Sequence, residues 1–148
     1  MNREILFRGQ RCSDGEWVYG FYVESKYSWR GHKPHRSWII PNAISNGGFF
    51  NILGRYAVKD DTVGQFTGMC DKNGVKIFAG DVLDVIVFDC FDNDKQYRVR
   101  VEWVGTEFMG VDVTNDDYAW NLFWLCNQDE EIEVIGNIYD NPELLSTK

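Results

Sequence analysis

From Thr62 to Ile138 apolar side chains recur at nearly every second position, and that period most constrains the fold. A repeat of two places side chains on alternate faces of an extended strand, whereas a helix needs a repeat near 3.6. Tyr97, Val99, Val101 and Trp103 alternate with Arg98, Arg100 and Glu102, and Met109, Val111 and Val113 with Gly110 and Asp112. Ile132, Val134, Gly136 and Ile138 read as a last strand. Val82 to Phe88 is nearly all apolar and short enough to be a strand buried on both faces. Upstream, Trp17, Tyr19, Phe21 and Val23 occupy alternate positions after the turn signal Ser13-Asp14-Gly15-Glu16, which completes an opening hairpin begun at Ile5 and Phe7. Trp38 to Ile40 is a short strand ended by Pro41, and Gly54 to Asp61 reads as strand then loop. Tyr118 to Cys126 is aromatic-rich and admits either a strand or a short helix.

The punctuation between strands is equally regular. Asp71-Lys72-Asn73-Gly74 is a strong turn, because Asn73 and Gly74 tolerate positive φ. At Ala79-Gly80-Asp81 the glycine permits a tight entry, and the Asp81 carboxylate can accept backbone N–H bonds before the next strand begins. Asn141-Pro142-Glu143 has the order of an N-cap, a first-turn proline and a helix-start acid, so a short terminal helix can follow. Short strands at this spacing make a mainly β chain with an N-terminal β-hairpin region over 1–60 and a small barrel or sandwich over 61–148. The pleat also suggests a register. Pairing Val87 with Tyr97 sets Val85 against Val99 and Leu83 against Val101 on one face, and Asp84 against Arg100 on the other.

Composition enters as a set of exclusions. A chain of 148 residues with 44% hydrophobic and 16% aromatic content can build a core and is not a disordered chain. No apolar run reaches the ~18 residues of a membrane span, and MNREILFRGQR lacks a signal-peptide core, so a soluble cytoplasmic protein is expected. The net charge of −8 is unevenly held. Met1 to Arg36 has seven basic and four acidic residues (+3), and the remainder eight and nineteen (−11). A basic start beside an acidic body points to nucleic-acid contact or to head-to-tail attraction between copies. Trp29, Arg30, Lys33, Arg36 and Trp38 interleave cations with indoles and are the candidate contact for nucleic acid or another partner. A loop packed on the protein's own core is the competing reading of the same residues.

Catalytic and metal signatures are missing. Cys12, Cys70, Cys90 and Cys126 have no C-x-x-C spacing, and His32 and His35 sit among cations, so neither metal nor cofactor is expected. There is no G-x-S-x-G, no H-E-x-x-H and no phosphate-cradling glycine loop, and Asp89, Asp92 and Asp94 lack the glycine and distal glutamate of a calcium loop. The expectation is a protein that is not an enzyme.

Three stretches in order carry a family resemblance: Arg3-Glu4-Ile5-Leu6-Phe7-Arg8, the long block Thr62 to Leu83 with Asp71-Lys72-Asn73-Gly74 and Gly80-Asp81, and the ending Val134 to Leu145. Together they resemble the YopX family of phage and prophage proteins. Cys70, Ala79 and Gly9-Gln10 depart from the commoner pattern of that family. The resemblance implies an SH3-like small barrel in the C-terminal part, a separate N-terminal β region, a phage or prophage origin and homo-oligomeric assembly. It assigns no catalytic residue, and the turn chemistry of Asp71, Asn73, Gly74, Gly80 and Asp81 independently makes them a scaffold motif. The function expected is a non-catalytic binding module that engages a partner through loops of a small barrel; a self-assembling structural or accessory protein is the alternative, and nucleic-acid binding through the basic Trp-rich loop is a further one.

Overall fold

The computed structural model describes residues 4–25, 37–42, 54–87, 94–127 and 131–146. The chain divides into two compact units, Met1–Phe66 and Thr67–Lys148. Among the described residues the fold is mainly β, and ten strands form two five-stranded sheets. The strands are β1 (Phe7–Gln10), β2 (Trp17–Glu24), β3 (Ser37–Ile40), β4 (Gly64–Cys70), β5 (Lys76–Phe78), β6 (Asp81–Val87), β7 (Lys95–Val104), β8 (Glu107–Asp112), β9 (Ala119–Asn121) and β10 (Glu133–Asn137). Neighbours run β3-β2-β1-β4-β5 in one sheet and β10-β6-β7-β8-β9 in the other.

In the N-terminal unit the expected opening hairpin is β1 and β2, paired antiparallel from Phe7↔Gly20 to Gln10↔Trp17. Its connection closes on itself, because Arg11 grips Asp14 and Glu16 and the Asp14 carboxylate accepts the Glu16 N–H. The outer edge of β3 is occupied by a stretch that is not a regular strand. Ile39 N–H donates to Tyr56 O, Val58 N–H donates to Ser37 O, and Trp38 and Arg11 form bridges with Ala57 and Val58. Covering an edge in this way removes unpaired backbone groups that would otherwise recruit another chain. Asp60–Thr62 is a 3-10 turn rather than a plain loop, and Thr62 Oγ1 accepts the Gln10 N–H at 2.9 Å.

The C-terminal unit is built around one apolar cluster. Leu83 and Val85 of β6, Val99 and Val101 of β7 and Phe108 of β8 share it with Ile77, Ile132 and two helical leucines. Those leucines answer the open question between Tyr118 and Cys126, where a three-residue strand, β9, runs directly into a helix, α1 (Leu122–Asn127). Leu122 and Leu125 lie three residues apart on α1 and bury the same face of it. At Gly110 any Cβ would lie 2.8 Å from Leu125 Cδ1 and 3.0 Å from Val99 Cγ2, so α1 comes down on the sheet where β8 has no side chain. Helix, strands and turns enclose the cluster as a small barrel-like body.

Three expectations differ in detail. β6 and β7 are adjacent and antiparallel, but Leu83 opposes Val99, Val85 opposes Tyr97, and Asp84 opposes Arg98 rather than Arg100. A slip of two residues preserves the inward and outward alternation, so apolar pattern cannot distinguish the two registers. The last strand is bulged between Val134 and Gly136 and ends at Asn137, before Ile138. The terminal helix is a 3-10 turn, Pro142–Leu145, with proline at its start. Asn141 makes no side-chain cap there; its Oδ1 accepts the Asn137 N–H instead.

Candidate functional site

The central motif folds as a scaffold of buried carboxylates. Asp71 precedes a turn in which Gly74 has φ of 80° and donates its N–H to Asp71 O. Asp71 Oδ1 accepts the Asn73 and Val75 N–H groups at 2.8 and 2.9 Å, and Oδ2 accepts the Val134 N–H at 3.1 Å. One carboxylate therefore closes the turn and fastens it to β10, sixty-three residues later. Lys72 strengthens the same seam, with its N–H on Ile132 O and its ammonium 2.9 Å from Glu133.

Asp81 is fully buried and its Oδ2 accepts the Phe78 N–H at 2.7 Å. Gly80 beside it has φ of 87°, and a Cβ there would meet the Tyr139 ring at 2.9 Å. Its N–H donates to Val101 O, and its carbonyl accepts the Ile138 N–H. Asp112 repeats the device at the end of β8, where Oδ1 accepts from Thr114 N–H, Thr114 Oγ1–H and Asn115 N–H. Nothing singled out Asp112 in advance, although Asp-x-Thr-Asn before a turn is the sequence signal for such a carboxylate–backbone cluster. Carboxylates held in this way fix the backbone of the turns around them.

The outer face of the C-terminal sheet carries a charged row. Lys72 pairs with Glu133, Glu133 lies opposite Asp84, and Asp84 Oδ1 accepts from Arg98 Nε at 3.3 Å. Arg100, freed from Asp84 by the register, lies between Val82 and Val111 and turns its guanidinium to Glu102 and Asp116. These partners raise the Arg100 pKa further above its usual value against the opposing effect of desolvation. Lys72, Asp84, Glu131 and Glu133 line a polar cleft with Gln96, Ile86 and Val85. Among the described residues no group of three or more His, Cys, Asp or Glu is placed to hold a metal ion.

Of the basic Trp-rich candidates, Trp29, Arg30, Lys33 and Arg36 lie outside the described residues. Trp38 is placed, and it is not a contact residue. It is a buried member of β3, opposite Val23 of β2 and bridged to Ala57, so its indole packs within the N-terminal unit and is unavailable for base stacking.

The large apolar groups left in solvent lie elsewhere. On β2 the alternate residues Tyr19, Phe21 and Val23 are exposed, and in the C-terminal unit Trp103, Val104, Tyr118, Phe123 and Trp124 are exposed. Trp103 meets Phe108 edge-on with ring centroids 4.7 Å apart. Tyr118, Trp120 and Tyr97 form a row in which Trp120 lies 4.7 Å from Tyr97 and stacks with Tyr118 at 6.3 Å. The aromatic residues of β9 and α1 were legible as an aromatic-rich segment, and those of β7 as part of an alternating strand. Their exposure was not, because it depends on which leucines α1 buries.

Among the described residues no helix is long and apolar enough to cross a membrane. The chain is similar in fold to protein EF1440 from Enterococcus faecalis, known from a crystal structure, with a TM-score of 0.54 over 97% of this chain and 99% of that one. Their identity is 22%, so the likeness concerns the fold alone. No curated protein sequence matches the chain significantly. The family model described as YopX protein matches residues 6–146, which takes in the opening strand, the Asp71-to-Asp81 scaffold and the terminal turn. The chain belongs to the YopX family.

Proposed function

We propose that this protein is a non-catalytic binding module, phage- or prophage-encoded and acting in a bacterial cytoplasm, that engages a partner through the loops and exposed aromatic surface of its C-terminal unit. The observation that carries this reading is the contrast between its carboxylates and its aromatics. Asp71, Asp81 and Asp112 are committed to backbone amides, while Trp103, Phe123 and Trp124 stand in solvent beside a complete core. Enzymes hold ionisable groups in pockets with unspent lone pairs, whereas interfaces concentrate tryptophan, tyrosine and phenylalanine. A photo-crosslinking residue placed at Phe123 of the full chain, in cells that produce it, is expected to yield discrete heavier adducts, and one at Glu143 is not. Absence of adducts from Phe123 and from every other C-terminal loop position would remove the reading.

A second reading is supported by the charge distribution. The N-terminal unit holds nine basic and six acidic residues (+3), and the C-terminal unit six and seventeen (−11). Opposite signs favour head-to-tail association between copies. Light scattering over a range of concentrations is expected to give a mass above 17.2 kDa that falls as salt is raised. A monomer at every concentration would end this second reading and leave the first standing.

A further inference from the structure

The binding-module reading, on which this inference rests, leaves the partner's chemistry open, and one edge of the C-terminal sheet narrows it. β9 ends that sheet and, among the described strands, pairs with β8 alone. Asp112 N–H donates to Tyr118 O, and the register carries that ladder on to Gly110 and Trp120. In an antiparallel ladder the residues between such pairs turn their backbone groups the other way. The Ala119 N–H and C=O and the Asn121 N–H therefore point out of the sheet. The other side of β8 agrees, because Val113 N–H donates to Arg98 O, which aims the odd-numbered residues of β8 at β7 and the even-numbered ones at β9. Two further sheet edges are occupied, that of β3 by Tyr56 and Val58 and that of β10 by Asp71 and Lys72. Among the described residues no backbone group meets Ala119 in this way, and Ala119 is exposed.

A row of rings stands beside this edge. Trp120 and Tyr97 pack against the core cluster with centroids 4.7 Å apart. Tyr118 lies 6.3 Å from Trp120, nearly parallel to it and 55% exposed. Tyr118 and Trp120 flank Ala119 in the chain, so a strand laid along β9 would bring every second side chain to their rings and the others opposite Ala119. Apolar groups suit the first set of positions. Charge selects the second. Asp116 and Asp117 are exposed directly before Tyr118; Arg100 holds Asp116, and Asp117 is in no ion pair among the described residues. With −11 on the unit, nucleic acid and acidic peptides are repelled and a basic segment is attracted. A second copy joined through the same edge would set two such acidic surfaces together. We infer that β9 accepts an extended segment of a protein partner as a further strand, with apolar side chains at Tyr118 and Trp120 and lysine or arginine between them.

The test is titration of the isotope-labelled full chain at physiological salt, followed by NMR. The probes are three synthetic peptides of alternating lysine and valine: one unmodified, one methylated at the lysine backbone nitrogens and one at the valine backbone nitrogens. The unmodified peptide is expected to shift the Ala119 and Asn121 amides and the Trp120 indole signal. Strand addition uses one edge of the peptide, so one methylated form should bind like the parent and the other at least about tenfold more weakly. Ala119→Pro removes the outward N–H without touching a bond to β8, a place where an edge strand tolerates proline, and should weaken the parent peptide about tenfold. Tyr118→Ser, at an exposed position, is the second variant should Ala119→Pro fold poorly, with a similar loss expected. Glu143→Gln, in the same unit, should leave binding unchanged. Equal binding by the two methylated peptides, or equal losses with Ala119→Pro and Glu143→Gln, would show diffuse attraction and overturn the inference. Shifts confined to other residues, or none with any peptide, would overturn it too, while leaving the module reading to the crosslinking result. Broadening of the Ala119 and Asn121 amides with protein concentration alone would make the occupant a second copy, and that also overturns it.

Discussion

The N-terminal unit joins distant stretches by backbone bridges, while the C-terminal unit fixes turns with buried carboxylates. In the first, Trp38, Ile39, Ala57, Val58 and Phe66 are buried, and backbone bridges join distant segments, Arg11 to Val58 and Trp38 to Ala57. In the second, nine buried apolar residues form one cluster, and the turns at Asp71, Asp81 and Asp112 are each fixed by a carboxylate. The difference teaches where stability and surface chemistry reside. A core that is continuous and turn-locked can leave tryptophans in solvent, because its own packing does not need them.

The largest effect should separate the two regions outright. Leu83 is fully buried in the C-terminal cluster, and Leu83→Ala is expected to lower unfolding stability by about 3 kcal/mol through lost transfer and a residual cavity. Phe21→Ala, on the exposed side of β2, should fall within about 0.5 kcal/mol. Urea unfolding measures both, and equal losses would break the comparison. Next comes the thiol that packs against the same cluster. Burial, with a further push from Cys70, raises Cys126 from an ordinary value near 9 to about 11. At pH 8 its thiolate fraction drops about a hundredfold, so iodoacetamide should modify it about a hundredfold more slowly in the folded chain than in urea. The rate should climb as pH rises towards 11.

Asp71→Ala removes the acceptor of three backbone amides and is expected to cost about 2 kcal/mol by urea unfolding. A cost near zero would mean that the turn holds without its carboxylate. The smallest effect belongs to the charged row. Arg98 and Asp84 are both partly in solvent, so Arg98→Gln should change stability by no more than about 1 kcal/mol, and less at high salt.

Legibility in the sequence follows the same division. Asp71 to Gly74 and Gly80-Asp81 could be read as turns because the residues that make them stand next to one another. The strands of the C-terminal unit could be read because each alternates. Register could not, since Asp84 has Arg98 and Arg100 on the same face two residues apart, and only the distance spanned between β6 and β7 selects one. In the N-terminal unit the second face of β2 also carries apolar groups, at Val18 and Tyr22. Alternation there showed a strand without showing that Tyr19, Phe21 and Val23 face outward. The burial of Trp38 depends on a bridge to Ala57, nineteen residues on, which leaves no local mark. The helix α1 was hidden for a similar reason, because its six residues are too few for a helical period to stand out.

Native-state hydrogen exchange on the full chain tests the central claim, that the C-terminal cluster is where this molecule's stability lies. The amides of Leu83, Val99 and Val101 are expected to be the slowest, exchanging only through global unfolding, while those of Tyr22 and Ile39 exchange faster through smaller openings. Amides of β2 and β3 as slow as those of β6 and β7, or slower, would contradict it.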